Sequence, residues 1–188
     1  MILRDPGERA FSQYLHAVTL GAIHKSFRQQ IRASLGARDK TFGKLYPFLE
    51  FGLYYEQVKR YLDLFPAENI RIYVYEDYRD KPLEMLADLF RFLEVDAGFT
   101  ADTSQRRLEP RIPRFPRMAH FFNRFGPGRR IKEFSPNLIP FLRPLVFRSR
   151  KSLAMDPEDR TYLRGYYEED VQKLSGLLNR DLRRVWNC

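Results

Sequence analysis

The chain has 188 residues, 44% hydrophobic and 15% aromatic, which is enough apolar material for one folded domain and too much for a disordered chain. Its 33 Lys and Arg against 24 Asp and Glu give a net charge of +9, and a single cysteine, Cys188, excludes an internal disulfide and C-x-x-C chemistry. No run approaches the roughly 20 apolar residues needed to cross a bilayer, and the N-terminus lacks the charged-then-apolar pattern of a signal peptide, so the expectation is a cytoplasmic protein without a membrane span.

Residues 1–4 read as the end of an apolar strand that runs into a helix. Asp5 is a good N-cap, Pro6 suits the first helical position, and Glu8 has capping-box spacing, so a helix is predicted from Pro6 into the mid-thirties. Arg4 lies just before that start and Ser12 about two turns in. A phosphate could take a guanidinium fork from one and a hydroxyl from the other, although the same spacing also fits an ordinary capped helix with a surface arginine. His16 and His24 share the predicted helix, two turns apart with no third ligand in view, and read as structural histidines; no metal site is expected.

A second helix is predicted over residues 52–65. Residues 69–75 alternate apolar and less apolar types, are rich in β-branched and aromatic residues, and are bounded by Pro66 and Asp80, which predicts a strand. Pro82 then opens a helix whose Leu83, Leu86, Ala87, Phe90 and Leu93 fall at helical spacing, a predicted core stripe. Asp156-Pro157-Glu158-Asp159 caps a last long helix, with Leu163, Tyr166, Tyr167, Val171, Leu174 and Leu178 as its apolar side. The sum is an α/β layout in one domain, with helices on a small parallel sheet.

The positive charge is local. Residues 106–151 hold thirteen Arg or Lys against Glu109 and Glu133, and prolines at 110, 113, 116, 127, 136, 140 and 144 prevent a long helix. A basic extended loop is expected there, with short helical pieces over residues 117–122 and 138–147.

Leu3-Arg4-Asp5-Pro6 with Ser12 eight residues after Arg4, continuing as Arg9-Ala10-Phe11-Ser12-Gln13-Tyr14 and His16, resembles the 3'-phosphate segment of the sulfotransferases that use 3'-phosphoadenylyl sulfate (PAPS). Gly52-Leu53-Tyr54-Tyr55, Phe65-Pro66, the strand closed by Glu76-Asp77, and Phe92-Leu93-Glu94-Val95 follow in that family's order. So do Tyr166 to Asp170, Arg180-Asp181-Leu182 and Trp186 near the C-terminus. The resemblance implies a P-loop-NTPase-like α/β sulfotransferase fold with few parallel strands flanked by helices. It also implies sulfuryl transfer from PAPS to a hydroxyl or amine acceptor, with Arg4 and Ser12 on the 3'-phosphate and no metal. By the same resemblance Tyr75, at the strand end where open α/β sheets bind ligands, contacts the adenine; simple packing is its other reading.

The resemblance further implies an upstream strand and a phosphate-cradling loop that supplies a lysine for the 5'-phosphosulfate, and no Gly-Lys-Ser or Gly-Thr-Thr loop occurs in the sequence. The expectation is therefore a truncated domain with half of a cofactor site and no identifiable catalytic base; a mis-called start codon and a degraded gene are the remaining alternatives. With so few strands the chain is expected to be marginally stable or to form homo-oligomers through strand edges and apolar helix faces.

Three readings of residues 106–151 stay open. Arg114-Phe115-Pro116-Arg117 corresponds by resemblance to the late loop that folds over PAPS, with Arg114 and Arg117 adding charge to the 3'-phosphate. A non-catalytic module for an acidic polymer or nucleic acid would instead stack Phe115, Phe121, Phe122 and Phe125 on bases, and is the less favoured reading. The third is a solvated basic strip.

Overall fold

A computed structural model of the chain describes residues 1–37, 48–96, 98–99, 111–125, 147–149 and 154–187. In chain order these form β1 (Ile2–Leu3), α1 (Pro6–Thr19), α2 (Phe27–Gly36), α3 (Tyr55–Leu64), β2 (Tyr73–Val74), α4 (Tyr75–Asp80), α5 (Pro82–Phe92), β3 (Arg111–Pro113), α6 (Pro116–Phe125), β4 (Phe147–Ser149), α7 (Pro157–Leu177) and α8 (Leu182–Trp186). They fall into two compact units. One contains residues 1–9, 50–107 and 160–188, the other residues 10–49 and 108–159.

In the first unit β1 and β2 pair in parallel, Ile2 opposite Tyr73 and Leu3 opposite Val74. The Met1 carbonyl accepts from the Tyr73 amide at 2.9 Å. This is the small parallel sheet the sequence suggests, but shorter. The tyrosines at 73 and 75 favour a strand, yet Tyr75-Glu76-Asp77 turns into α4, where the two carboxylates complement the positive helix start.

The unit's core is built on α7. Leu163, Tyr167, Val171 and Leu174 are buried along one face, as their spacing predicts, and Tyr54, Val58, Val74, Leu182 and Trp186 are buried in the same unit. The close approach of α7 to the turn before α3 requires a glycine, because a Cβ at Gly52 would lie 2.9 Å from the Tyr167 ring. The helix predicted over 52–65 begins only at Tyr55, and its first turn has no side-chain cap from Tyr54. Asp170 of α7 caps it from outside, accepting from the Tyr54 amide at 2.7 Å and the Tyr55 amide at 3.2 Å.

The predicted core stripe of α5 is corrected. Leu83 and Leu93 are exposed, Leu86, Ala87 and Phe90 are half-buried, and only Met85 of this helix is fully buried. A sheet two residues deep offers too little surface to cover the stripe.

In the second unit the predicted single helix from Pro6 into the mid-thirties is two helices. Gly21 adopts φ 68, and the Gly21 and Ala22 amides donate back to the Val18 and Ala17 carbonyls, a Schellman closure of α1. Ser26 and Gln29 then form a reciprocal capping box that starts α2. Phe11, Tyr14, Phe27 and Phe48 pack as one aromatic cluster, with ring centroids 5.0 Å apart for Phe11 and Phe27 and 6.0 Å for Phe27 and Phe48. Arg28 bonds Asp159 at 2.7 Å and Glu158 at 2.8 Å, which joins α2 to the acidic first turn of α7.

The segment expected to be an extended loop contains a short antiparallel pair, Ile112 of β3 opposite Arg148 of β4. Its predicted helical piece at 117–122 appears as the longer α6, while the piece at 138–147 falls almost wholly outside the described residues, Phe147 alone being described as the start of β4.

Candidate functional site

The parallel register places Arg4 and Tyr75 side by side, each immediately after the carboxyl end of its strand. Both are half-buried, and the Arg4 guanidinium lies over the Tyr75 ring, 5.0 Å from its centroid. Stacking over a ring leaves the in-plane N–H edges of a guanidinium available to an anion.

Arg4 also lies 3.6 Å from Glu8, but Glu8 has a closer partner in Arg160 at 2.7 Å. The Glu8 side chain is thus held by α7 rather than folded back in the capping box its spacing suggests. Asp5 does cap α1, accepting from the Glu8 amide at 2.8 Å. Burial pushes the Asp5 carboxyl above the usual carboxylate range, the Glu8 amide partly offsetting the shift.

Further groups fix the platform. Tyr54 donates its hydroxyl to the Arg4 carbonyl at 3.0 Å, and burial pushes the phenol up to about 12, so it remains a donor at neutral pH. The Trp186 ring is 6.1 Å from that of Tyr54, and its indole N–H donates to Glu76 Oε2 at 3.0 Å. Arg180 grips Asp77 with two bonds of 2.6 and 2.8 Å. The Arg180 side chain holds the Asp77 carboxyl below its usual range.

Arg4 and Tyr75 are therefore brought together. Ser12 is half-buried on α1 in the second unit, and Arg114 and Arg117 are exposed at the start of α6 in that unit. Sequence reasoning named Tyr54, Arg180 and Trp186 only as parts of family motifs, with no supporting role. The available signal was the run Glu76-Asp77 directly after the strand, two carboxylates needing partners. Among the described residues no group of three or more His, Cys, Asp or Glu could hold a metal ion, and no helix is long and apolar enough to cross a membrane.

The sulfotransferase domain family matches residues 1–111, more than half of the chain. The chain belongs to that family. The sulfotransferase chain is 28% identical over 143 residues to the membrane-associated sulfotransferase kil1 of Dictyostelium discoideum, which covers 76% of the chain and 21% of that relative. It also superimposes on the crystal structure of a sulfotransferase from Alicyclobacillus acidocaldarius with a TM-score of 0.69 and 26% identity, over all of this chain and 56% of that one. The sulfotransferase chain thus spans about a fifth of the first relative and just over half of the second, and the α/β sulfotransferase fold expected from the sequence is the fold it has.

Proposed function

We propose that the chain contributes the nucleotide-holding part of a sulfotransferase that moves a sulfuryl group from PAPS to a hydroxyl or amine acceptor. The observation that carries this reading is the Arg4 guanidinium seated over the Tyr75 ring at the carboxyl ends of two parallel strands, a cation and an aromatic face aimed at the place where open α/β sheets take ligands. Arg4 and Ser12 hold the 3'-phosphate, Tyr75 faces the adenine, and Arg114 and Arg117 add charge near the phosphate. PAPS supplies the activated sulfuryl group and 3',5'-ADP departs; cationic side chains lower the barrier by offsetting the charge that collects on the departing side. No residue of this chain is assigned as the catalytic base. A single cysteine fits a cytoplasmic setting.

Calorimetric titration with 3',5'-ADP tests the reading. Arg4→Ala should weaken binding by about 10- to 100-fold, the range for a lost hydrogen bond to a charged group, and Ser12→Ala by severalfold. Binding that ignores both changes and is lost only with arginines of residues 106–151 would replace this reading with an acidic-polymer module.

A further inference from the structure

We propose that the outward face of α6 docks on an anionic lipid bilayer surface. The inward side of this helix is fixed by His120, whose half-buried ring pairs Nδ1 with the Gly21 carbonyl at 2.7 Å and lies 4.5 Å from the His24 ring. Because the carbonyl can only accept, that ring nitrogen carries the proton. Away from His120, Met118 and Phe121 are each 55% exposed, and Phe115, just before the helix, is 61% exposed. Three large apolar side chains within seven residues form a patch that water solvates poorly.

Other apolar side chains are exposed among the described residues, and the two clusters among them differ from this patch in their charge. Tyr61, Leu64 and Phe65 at the end of α3 sit beside Asp63 and Glu68, and Leu93 and Val95 are interleaved with Glu94 and Asp96. Lys59, Arg60 and Arg91 stand among those carboxylates, so neither group carries a one-sided cationic surplus. Around α6 the exposed charges are cationic, Arg114 and Arg117, and residues 106–151 carry thirteen Arg or Lys against two acidic residues, a surplus of eleven.

The two properties together select the occupant. A nucleic acid would satisfy the arginines but give Met118 no apolar environment. A second copy of this chain would cover the apolar face but oppose one +11 segment to another. An anionic bilayer satisfies both, with headgroup charges for the basic side chains of residues 106–151 that the nucleotide does not take and the acyl boundary for Phe115, Met118 and Phe121, as in other basic amphipathic helices that lie in the interface.

Vesicle flotation of the full chain tests the proposal. Binding to phosphatidylcholine vesicles with about 30 mol% phosphatidylserine should exceed binding to phosphatidylcholine alone by roughly tenfold or more, given the attraction of juxtamembrane arginines to anionic lipid. It should fall severalfold as salt rises from about 0.1 to about 0.5 M, where charges are screened over a few ångströms. Met118→Asp alone, and the pair Phe115→Asp with Met118→Asp, should each lose most of this binding while keeping the wild-type far-UV circular dichroism. Met118→Leu should keep it. Equal binding to neutral and anionic vesicles, or undiminished binding by folded aspartate variants, overturns the proposal. So does a chain that ignores vesicles while the same variants abolish oligonucleotide binding or self-association.

Discussion

Asp77 and Arg180 lie 103 positions apart in the sequence and meet through two guanidinium bonds, one reason that the segment after β2 holds its place. Both side chains are more than a third exposed, so water screens the pair and its worth is below about 1 kcal/mol. The sign of its pH dependence is fixed by the direction of the shift. The Arg180 bonds lower the Asp77 carboxyl beneath its unfolded value of 3.8, so the stabilisation is complete above that value and disappears as pH falls through the lower folded value. Asp77→Asn should therefore lower the melting temperature at pH 7 and lower it less at about pH 2, where more of the carboxyl is protonated. Paired thermal melts at the two pH values measure it, and an equal deficit at both would mean that the asparagine perturbs packing instead. Asp5 and Asp170 run the other way: burial raises both, so their ionisation opposes the fold and its cost is relieved in acid. The Asp77 comparison cancels them, since both chains carry them.

At the scale of elements, α8 closes on the β2–α4 junction through a turn that the sequence encodes only in part. Asn179 takes φ 49 at the end of α7, the Arg180 amide returns to the Ser175 carbonyl at 3.0 Å, and Asp181 caps α8 by accepting from the Arg184 amide. That geometry buries Leu182 and Trp186, the only tryptophan of the chain. Trp186→Ala should lower the unfolding free energy by about 3–5 kcal/mol, the usual cost of truncating a buried aromatic. Glu76→Gln, whose amide oxygen still accepts from the indole, should cost under about 1.5 kcal/mol. Urea unfolding followed by circular dichroism separates the two, and equal losses would mean that the charge on Glu76, not the packing of the indole, holds the ring. The buried face of α7 was legible, because Leu163, Tyr167, Val171 and Leu174 repeat at helical spacing. The break between α1 and α2 was also encoded, by Gly21 and by Ser26-Phe27-Arg28-Gln29, but the apolar period runs through it and masked the signal. Partners 110 positions apart, such as Trp186 and Glu76, leave no local trace. The same holds for the seat of Arg4 over Tyr75: each residue could be singled out from its local motif, whereas their juxtaposition depends on strand register.

For the whole molecule the governing imbalance is between buried and exposed apolar surface. Among the described residues β1 and β2 pair only with each other, and Tyr61, Leu64, Phe65, Leu83, Leu93 and Val95 of the first unit are all exposed. Isolated two-stranded sheets are marginal, and side chains of this size are ordinarily covered. Self-association in the absence of lipid follows, through the apolar end of α3 rather than through α6, because two copies can bury Tyr61, Leu64 and Phe65 against each other without opposing their +11 segments. Sedimentation velocity at micromolar concentration should show species larger than 22.5 kDa. Leu64→Lys together with Phe65→Lys should shift the distribution toward monomer, whereas Met118→Asp should leave it unchanged. These positions are exposed, so the substitutions remove a docking face without opening a cavity. A wild-type chain that sediments as a monomer and melts in one cooperative calorimetric transition would show that the α7-centred core suffices without a partner, and that the exposed α3 end is tolerated as ordinary surface.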